Sequence, residues 1–144
     1  MRKFMLVGAL AALGTALLAS SASAFDHHFT VLAKTTSAHR SGDTFRFKDK
    51  LLDPNDRSVK VGRDHGRCTA EGHNHHAVRC RAVAHLNGKI GGFGDIRVRG
   101  DFARHDKRLN VVGGSGQFDG VAGKMKLHGT SNKRVDRLHF DLTR

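Results

Sequence analysis

Between Val111 and Leu127 the chain reads VVGGSGQFDGVAGKMKL, five glycines set among β-branched and long apolar residues. Glycine in such company marks backbone that takes positive φ, bulges, or passes too close to a neighbour for a Cβ. Gly113-Gly114-Ser115-Gly116 therefore reads as a sharp corner between two paired strands, with Gly120 and Gly123 as further structural positions. Corners of this kind let a sheet curl towards closure. The glycine spacing does not describe a phosphate-binding loop, which needs a helix to open directly after it. Here Val121 to Leu127 alternates as a strand.

A two-residue period recurs through the chain. Arg79, Arg81 and His85 alternate with Val78, Cys80, Ala82, Ala84 and Leu86; Arg97 and Arg99 alternate with Ile96 and Val98. Lys124 and Lys126 alternate with Met125 and Leu127, and Arg137, His139 and Asp141 alternate with Leu138, Phe140 and Leu142. Each segment is a strand with one wet face. Turn chemistry punctuates the chain at Ser41-Gly42-Asp43, Asp53-Pro54-Asn55, Asn87-Gly88 and Gly91-Gly92, with Asn87-Gly88 the strongest hairpin signal. Residues 104–108 and 130–134 read as polar loops. No helical period continues beyond residue 24, so the fold class is all-β, a barrel or a sandwich.

The amino end has a separate role. Arg2 and Lys3, an apolar stretch from Phe4 to Ala19, and the small residues Ala22-Ser23-Ala24 form a secretory signal peptide over residues 1–24. The apolar stretch falls short of the ~20 residues of a membrane span, and no other stretch approaches that length. Residues 25–144 are expected to form one exported domain with one core. Cys68 and Cys80 both lie there, where an oxidising compartment favours a disulfide over a reactive or metal-binding pair.

The glycine-rich segment resembles the late-strand motif of the allene oxide cyclase and dirigent-like superfamily, on Gly113, Gly114, Ser115, Gly116, Phe118, Gly120, Gly123, Lys126 and Leu127. Earlier pieces resemble the same superfamily in the same order: FKDKL (Phe47 to Leu51), VGRDHGRCT (Val61 to Thr69), HLNGKI (His85 to Ile90) and Gly94. The resemblance implies an antiparallel, eight-stranded, closed β-barrel of calycin type over residues 25–144. It further implies that a small hydrophobic metabolite binds in the interior, where its cyclisation or coupling is steered, and an assembly of trimeric or dimeric kind.

Alternation places Asp49 in phase with Phe45, Phe47 and Leu51, on the apolar face. A carboxyl group among phenylalanines has its pKa raised by desolvation, which suits general acid or base work; the alternative is a satisfied acid at a barrel corner. Asp49 is the catalytic candidate, and Phe45, Phe47, Asp49, Phe118, Met125 and Phe140 are the expected lining of the pocket. If those side chains fill the interior, the ligand-binding reading fails. In allene oxide cyclases an asparagine corresponds to Asp49, and a first-strand glutamate assists ring closure. The first strand here, about His28 to Thr36, has no acid, so that activity does not transfer and whether any reaction is catalysed stays open. Asp101, in phase with Arg97 and Arg99, reads as a surface counter-ion, and Asp95 also lies near the expected mouth.

All 11 histidines follow residue 24. His73, His75 and His76 are the candidate metal ligands, although no carboxylate or thiolate completes a familiar set and no cofactor is implied. The chain carries 25 Lys and Arg against 13 acids, a net charge of +12. Such charge attracts anionic surfaces and cell-wall polymers. The absence of Trp and Tyr argues against base stacking, hence against specific nucleic-acid binding, and also against aromatic sugar platforms. Three readings stand: a secreted barrel for a hydrophobic metabolite, an extracellular protein binding anionic polymer through its basic outer face, and a histidine-rich metal binder.

Overall fold

The computed structural model describes residues 27–72, 77–103 and 106–144, with the side chain of residue 103 excepted. The expected signal peptide over residues 1–24, and His73, His75 and His76, lie outside the described residues. Eight strands follow one another: β1 (His28–Ser41), β2 (Thr44–Leu52), β3 (Lys60–Glu71), β4 (Ala77–Asn87), β5 (Phe93–Ala103), β6 (Arg108–Gly114), β7 (Ala122–Gly129) and β8 (Val135–Thr143). Each pairs antiparallel with the next, and β1 pairs with β8 to close the barrel. Closure leaves no strand edge without a partner.

The alternation read from the sequence decides which side chains enter. Phe29, Val31 and Ala33 of β1, Ile96 and Val98 of β5, Leu109 and Val111 of β6, and Leu138, Phe140 and Leu142 of β8 are all buried in one core cluster. The intervening residues, such as Arg97, Arg99, Lys124 and Arg137, are exposed. A second, small cluster of Leu32, Leu52 and Val135 forms on the outer side. Alternation turns Leu52 and its direct β1 partner Leu32 away from the face of Leu51 and Ala33, so that Leu51 and Leu52 are both buried although they are adjacent; the β2–β3 pairing also shifts register between them. Another shift in β1, between Thr35 and Ser37, lets the strand run on to Ser41. The sequence indicated an end near Thr36 because Ser37–Ser41 has Ala38 as its one apolar residue and carries no alternation.

Cys68 and Cys80 are direct partners across β3 and β4, their Cα atoms 4.1 Å apart, and they form a disulfide. In the chain-entropy view a loop of this length restricts the unfolded chain by about 3 kcal/mol. The Asn87-Gly88 signal does mark a hairpin, between β4 and β5. Its loop is longer than the two-residue form, since Gly88 N donates to Gly92 O across it.

The glycine-rich segment is the plug of one barrel end. After β6 a short 3-10 turn, Gly116–Phe118, drops Phe118 fully into the core, 6.3 Å from Phe29, which stacks on Phe140 at 4.9 Å. The turn is tied to the start of β5: Ser115 N donates to Asp95 O, and Phe93 N donates to Gln117 Oε1. Gly114 carries no side chain because a Cβ there would enter the carbonyl oxygen of Phe118 and meet that of Asp95. Gly114→Ala should therefore lower stability by about 3 kcal/mol or more, as backbone cannot yield like a side chain. Gly129→Ala, whose nearest neighbour would lie 4.0 Å away, should stay within about 1 kcal/mol of the parent. Urea denaturation of both variants checks the contrast.

Candidate active site: a buried carboxylate pair

Asp49 sits on β2 between Phe47 and Leu51 in phase, so the pleat turns it inward as the sequence suggests. Its direct partner on β3 is Asp64, and its direct partner on β1 is Thr35. Asp64 is the one buried charged residue among those described, at 6% exposure. Asp136, on β8, pairs with Ala33 and so faces the same interior from the other side of β1. Three acids from three strands thus converge around Ala33 and Thr35.

A buried carboxyl group and a half-buried one in direct cross-strand contact disfavour each other's charge. Burial pushes the Asp64 pKa up to about 8, helped by the negative charge of Asp49 and by the hydrogen bond the two acids share. Burial also raises Asp49, while hydrogen bonds from Asp64 and Thr35 hold it lower. Asp136 is raised by burial and by the charge of Asp49, against the opposing ammonium of Lys107. Asp49 Oδ1 and Asp64 Oδ1 are buried and find no donor while both acids are ionised. One proton, carried by Asp64 and directed at Asp49, resolves the conflict. Near neutral pH the pair is then an acid and a base side by side.

On their outer side the same strand segments border a groove of about 530 Å³, lined by Lys48, Lys50, Lys60, Arg63, His65 and His85 together with the two aspartates. The acids therefore lie at a wall whose other face is basic.

Phe45 and Phe47 stack 6.2 Å apart on the same face of β2 as Asp49, with Phe47 lying over Gly66 and Ala82, where a Cβ on Gly66 would touch its ring at 2.6 Å. Phe45 is 40% exposed. Phe118, Met125 and Phe140 belong to the packed core instead. Phe140 meets β1 at Phe29 and Asp49 meets it at Thr35, six residues on, a separation of about 20 Å along the strand. The six expected lining residues thus divide into an acid-bearing group and a core group. Asp101 and Asp95 face outward, paired with Arg79 at 3.1 Å and with His85 at 2.6 Å. No cluster of metal ligands forms among the described residues.

Asp64 and Asp136 were not singled out in the sequence, yet each carried a signal. Asp136 is in phase with Leu138, Phe140 and Leu142, and Asp64 is in phase with Cys68.

The raised values have a direction in stability. A folded chain that keeps a proton which the unfolded chain releases above about pH 4 loses stability as pH rises, until the folded pKa is passed near 8. Stability should fall between about pH 4 and pH 8 and then level. In Asp64→Asn, which keeps the shape of the protonated acid, that fall should largely vanish and the variant should exceed the parent at pH 8. Denaturation curves from pH 5 to pH 9 measure this; parallel slopes in parent and variant would refute the shared proton.

Comparison with known proteins places this barrel. The family model described as allene oxide cyclase matches residues 23–132. No curated protein matches the sequence. Among solved structures, a pyocyanin demethylase is similar with a TM-score of 0.64 at 19% identity, over 81% of this chain and 99% of its own. The pterocarpan synthase dirigent protein GePTS1 is similar with a TM-score of 0.58 at 14% identity, over 87% of this chain and 92% of its own. A second such dirigent protein, PsPTS1, gives 0.57 at 13% identity, over 80% and 91%. Those likenesses share the closed eight-stranded barrel, and with the family match over most of its length, this chain belongs to the allene oxide cyclase family.

Proposed function

We propose that this chain binds a small hydrophobic molecule beside Asp49, Asp64 and Asp136 and steers its cyclisation or coupling by moving one proton. The observation that carries the reading is the direct cross-strand pairing of half-buried Asp49 with buried Asp64, whose surroundings raise the pKa of both. Asp64 gives its proton to an oxygen of the substrate as negative charge gathers there, and Asp49 stabilises the cation-like partner carbon by its charge. In a cyclisation the proton returns to the pair when the ring bond forms, so that reaction is an isomerisation and consumes nothing. Phe45 and Phe47 supply the apolar contact that excludes water.

Family membership supports ring-forming chemistry, and the named structural neighbours are a pyocyanin demethylase and pterocarpan synthases. The acid position differs from the family pattern: β1 carries none, and Asp136 reaches the same interior from β8. The proposed site of action is outside the cytoplasm, which the Cys68–Cys80 disulfide supports.

The test is displacement of the neutral dye N-phenyl-1-naphthylamine by a panel of apolar epoxides and phenols, followed by turnover assays on those that compete. For a turned-over ligand, kcat/KM should fall as pH rises through about 8. Asp64→Asn should cut kcat by about 100-fold or more while dye affinity stays within a few-fold. Unchanged turnover in Asp64→Asn, or a panel in which nothing competes, would overturn the reading.

A further inference from the structure

The outer face carries a feature that the interior chemistry does not use. Arg46 on β2 is the direct register partner of Arg67 on β3, Arg67 of Arg81 on β4, and Arg81 of Arg99 on β5. The row continues through Asn110 on β6 to Lys124 on β7. Their chain neighbours Phe47, Gly66, Ala82 and Val98 face the interior, so by alternation all four arginines project outward, and all four are exposed. They line a groove of about 460 Å³ on the barrel wall.

Like charges directly opposite each other across a sheet are destabilising. Four in succession is a cost the fold could have relieved, and one row away it does so: Arg79 is held by Glu71 at 3.0 Å and by Asp101 at 3.1 Å. Among the described residues, no acid pairs with Arg46, Arg67, Arg81 or Arg99. Neighbouring strands lie about 4.8 Å apart, so the guanidinium groups repeat at about 5 Å along a line that crosses the strands. Each presents a planar fork suited to a carboxylate.

We infer that this row is a binding site for a linear acidic polysaccharide bearing a carboxylate on successive sugars. The spacing of the cations is close to the length of one sugar unit in an extended chain, so successive carboxylates meet successive arginines. Contact is ionic and needs no aromatic platform, consistent with a chain that has no Trp or Tyr. The same lack disfavours single-stranded nucleic acid, whose bases need rings to stack on. His65, which also borders the groove, is already stacked on His85 at 5.3 Å.

The experiment titrates the oxidised protein with fluorescent polygalacturonate at several NaCl concentrations, with a single-stranded oligonucleotide and inorganic polyphosphate as competitors. Binding should weaken steeply with salt. Arg67→Gln/Arg81→Gln should weaken it by about tenfold or more, while melting no lower than the parent, since repulsion is relieved. Lys133→Gln/Arg137→Gln, with the same change of charge away from the row, should weaken it less than about threefold. Equal loss in both double variants would mean that net charge alone attracts the polymer and would overturn the site. Tighter binding of oligonucleotide or polyphosphate than of polygalacturonate would overturn the partner, and absence of binding would overturn both. Dye displacement at the interior is unaffected in either outcome, so this test is independent of the proton-transfer reading.

Discussion

Closure through the β1–β8 ladder is the constraint on which everything else depends. Phe29 against Phe140 and Val31 against Leu138 join the ends of the chain's strand series, and once they are joined every strand has two partners. A barrel of eight strands has an interior just wide enough for side chains to fill or for one small ligand. Each residue is therefore committed either to a crowded inside or to water. The β-branched and aromatic residues stabilise the first choice, and lysines and arginines take the second.

Within that frame the interior is asymmetric. One end is shut by Phe118, delivered by the 3-10 turn, and by its packing with Phe29 and Phe140. About 20 Å further along β1 the aliphatic wall gives way to Thr35, Asp49, Asp64 and Asp136. Burying the acids costs stability, and among the described residues no arginine is brought inside to offset it. A fold that needed only a plug would place leucines at those positions. The acids make chemical sense where a proton has to be held ready near neutral pH, away from water.

The outer wall repeats the same pattern of tolerated cost. Arg46, Arg67, Arg81 and Arg99 stand in register, while the acids available on that face are engaged with Arg79 and His85. Two conflicts of like charge, one acidic and inside, one basic and outside, share the β2–β3 wall. Lys48 and Arg63 project outward within one residue of Asp49 and Asp64, so the two sites are separated only by the thickness of the sheet.

By itself the sequence determined the alternation, and with it the side of the sheet that each residue faces. Asp49 inward, Arg81 outward and the glycine corner after Val112 were legible because a period of two acts within a single strand. The cysteine pair was legible too, since two cysteines in one domain expected to be exported leave one partner each. Which acid stands opposite which, and which arginine, was decided only by the tertiary structure. A period assigns a face but not a height, and height is set by the register shifts at Thr35/Ser37, Leu51/Leu52 and Arg97/Val98 and by the tilt that closure imposes. Asp136 meets β1 at Ala33 across more than 100 residues of chain, a contact no local pattern encodes. The carboxylate pair and the arginine row are both products of register, which is why Asp49, Arg81 and Arg99 could be assigned a face from the sequence and the combinations they form could not.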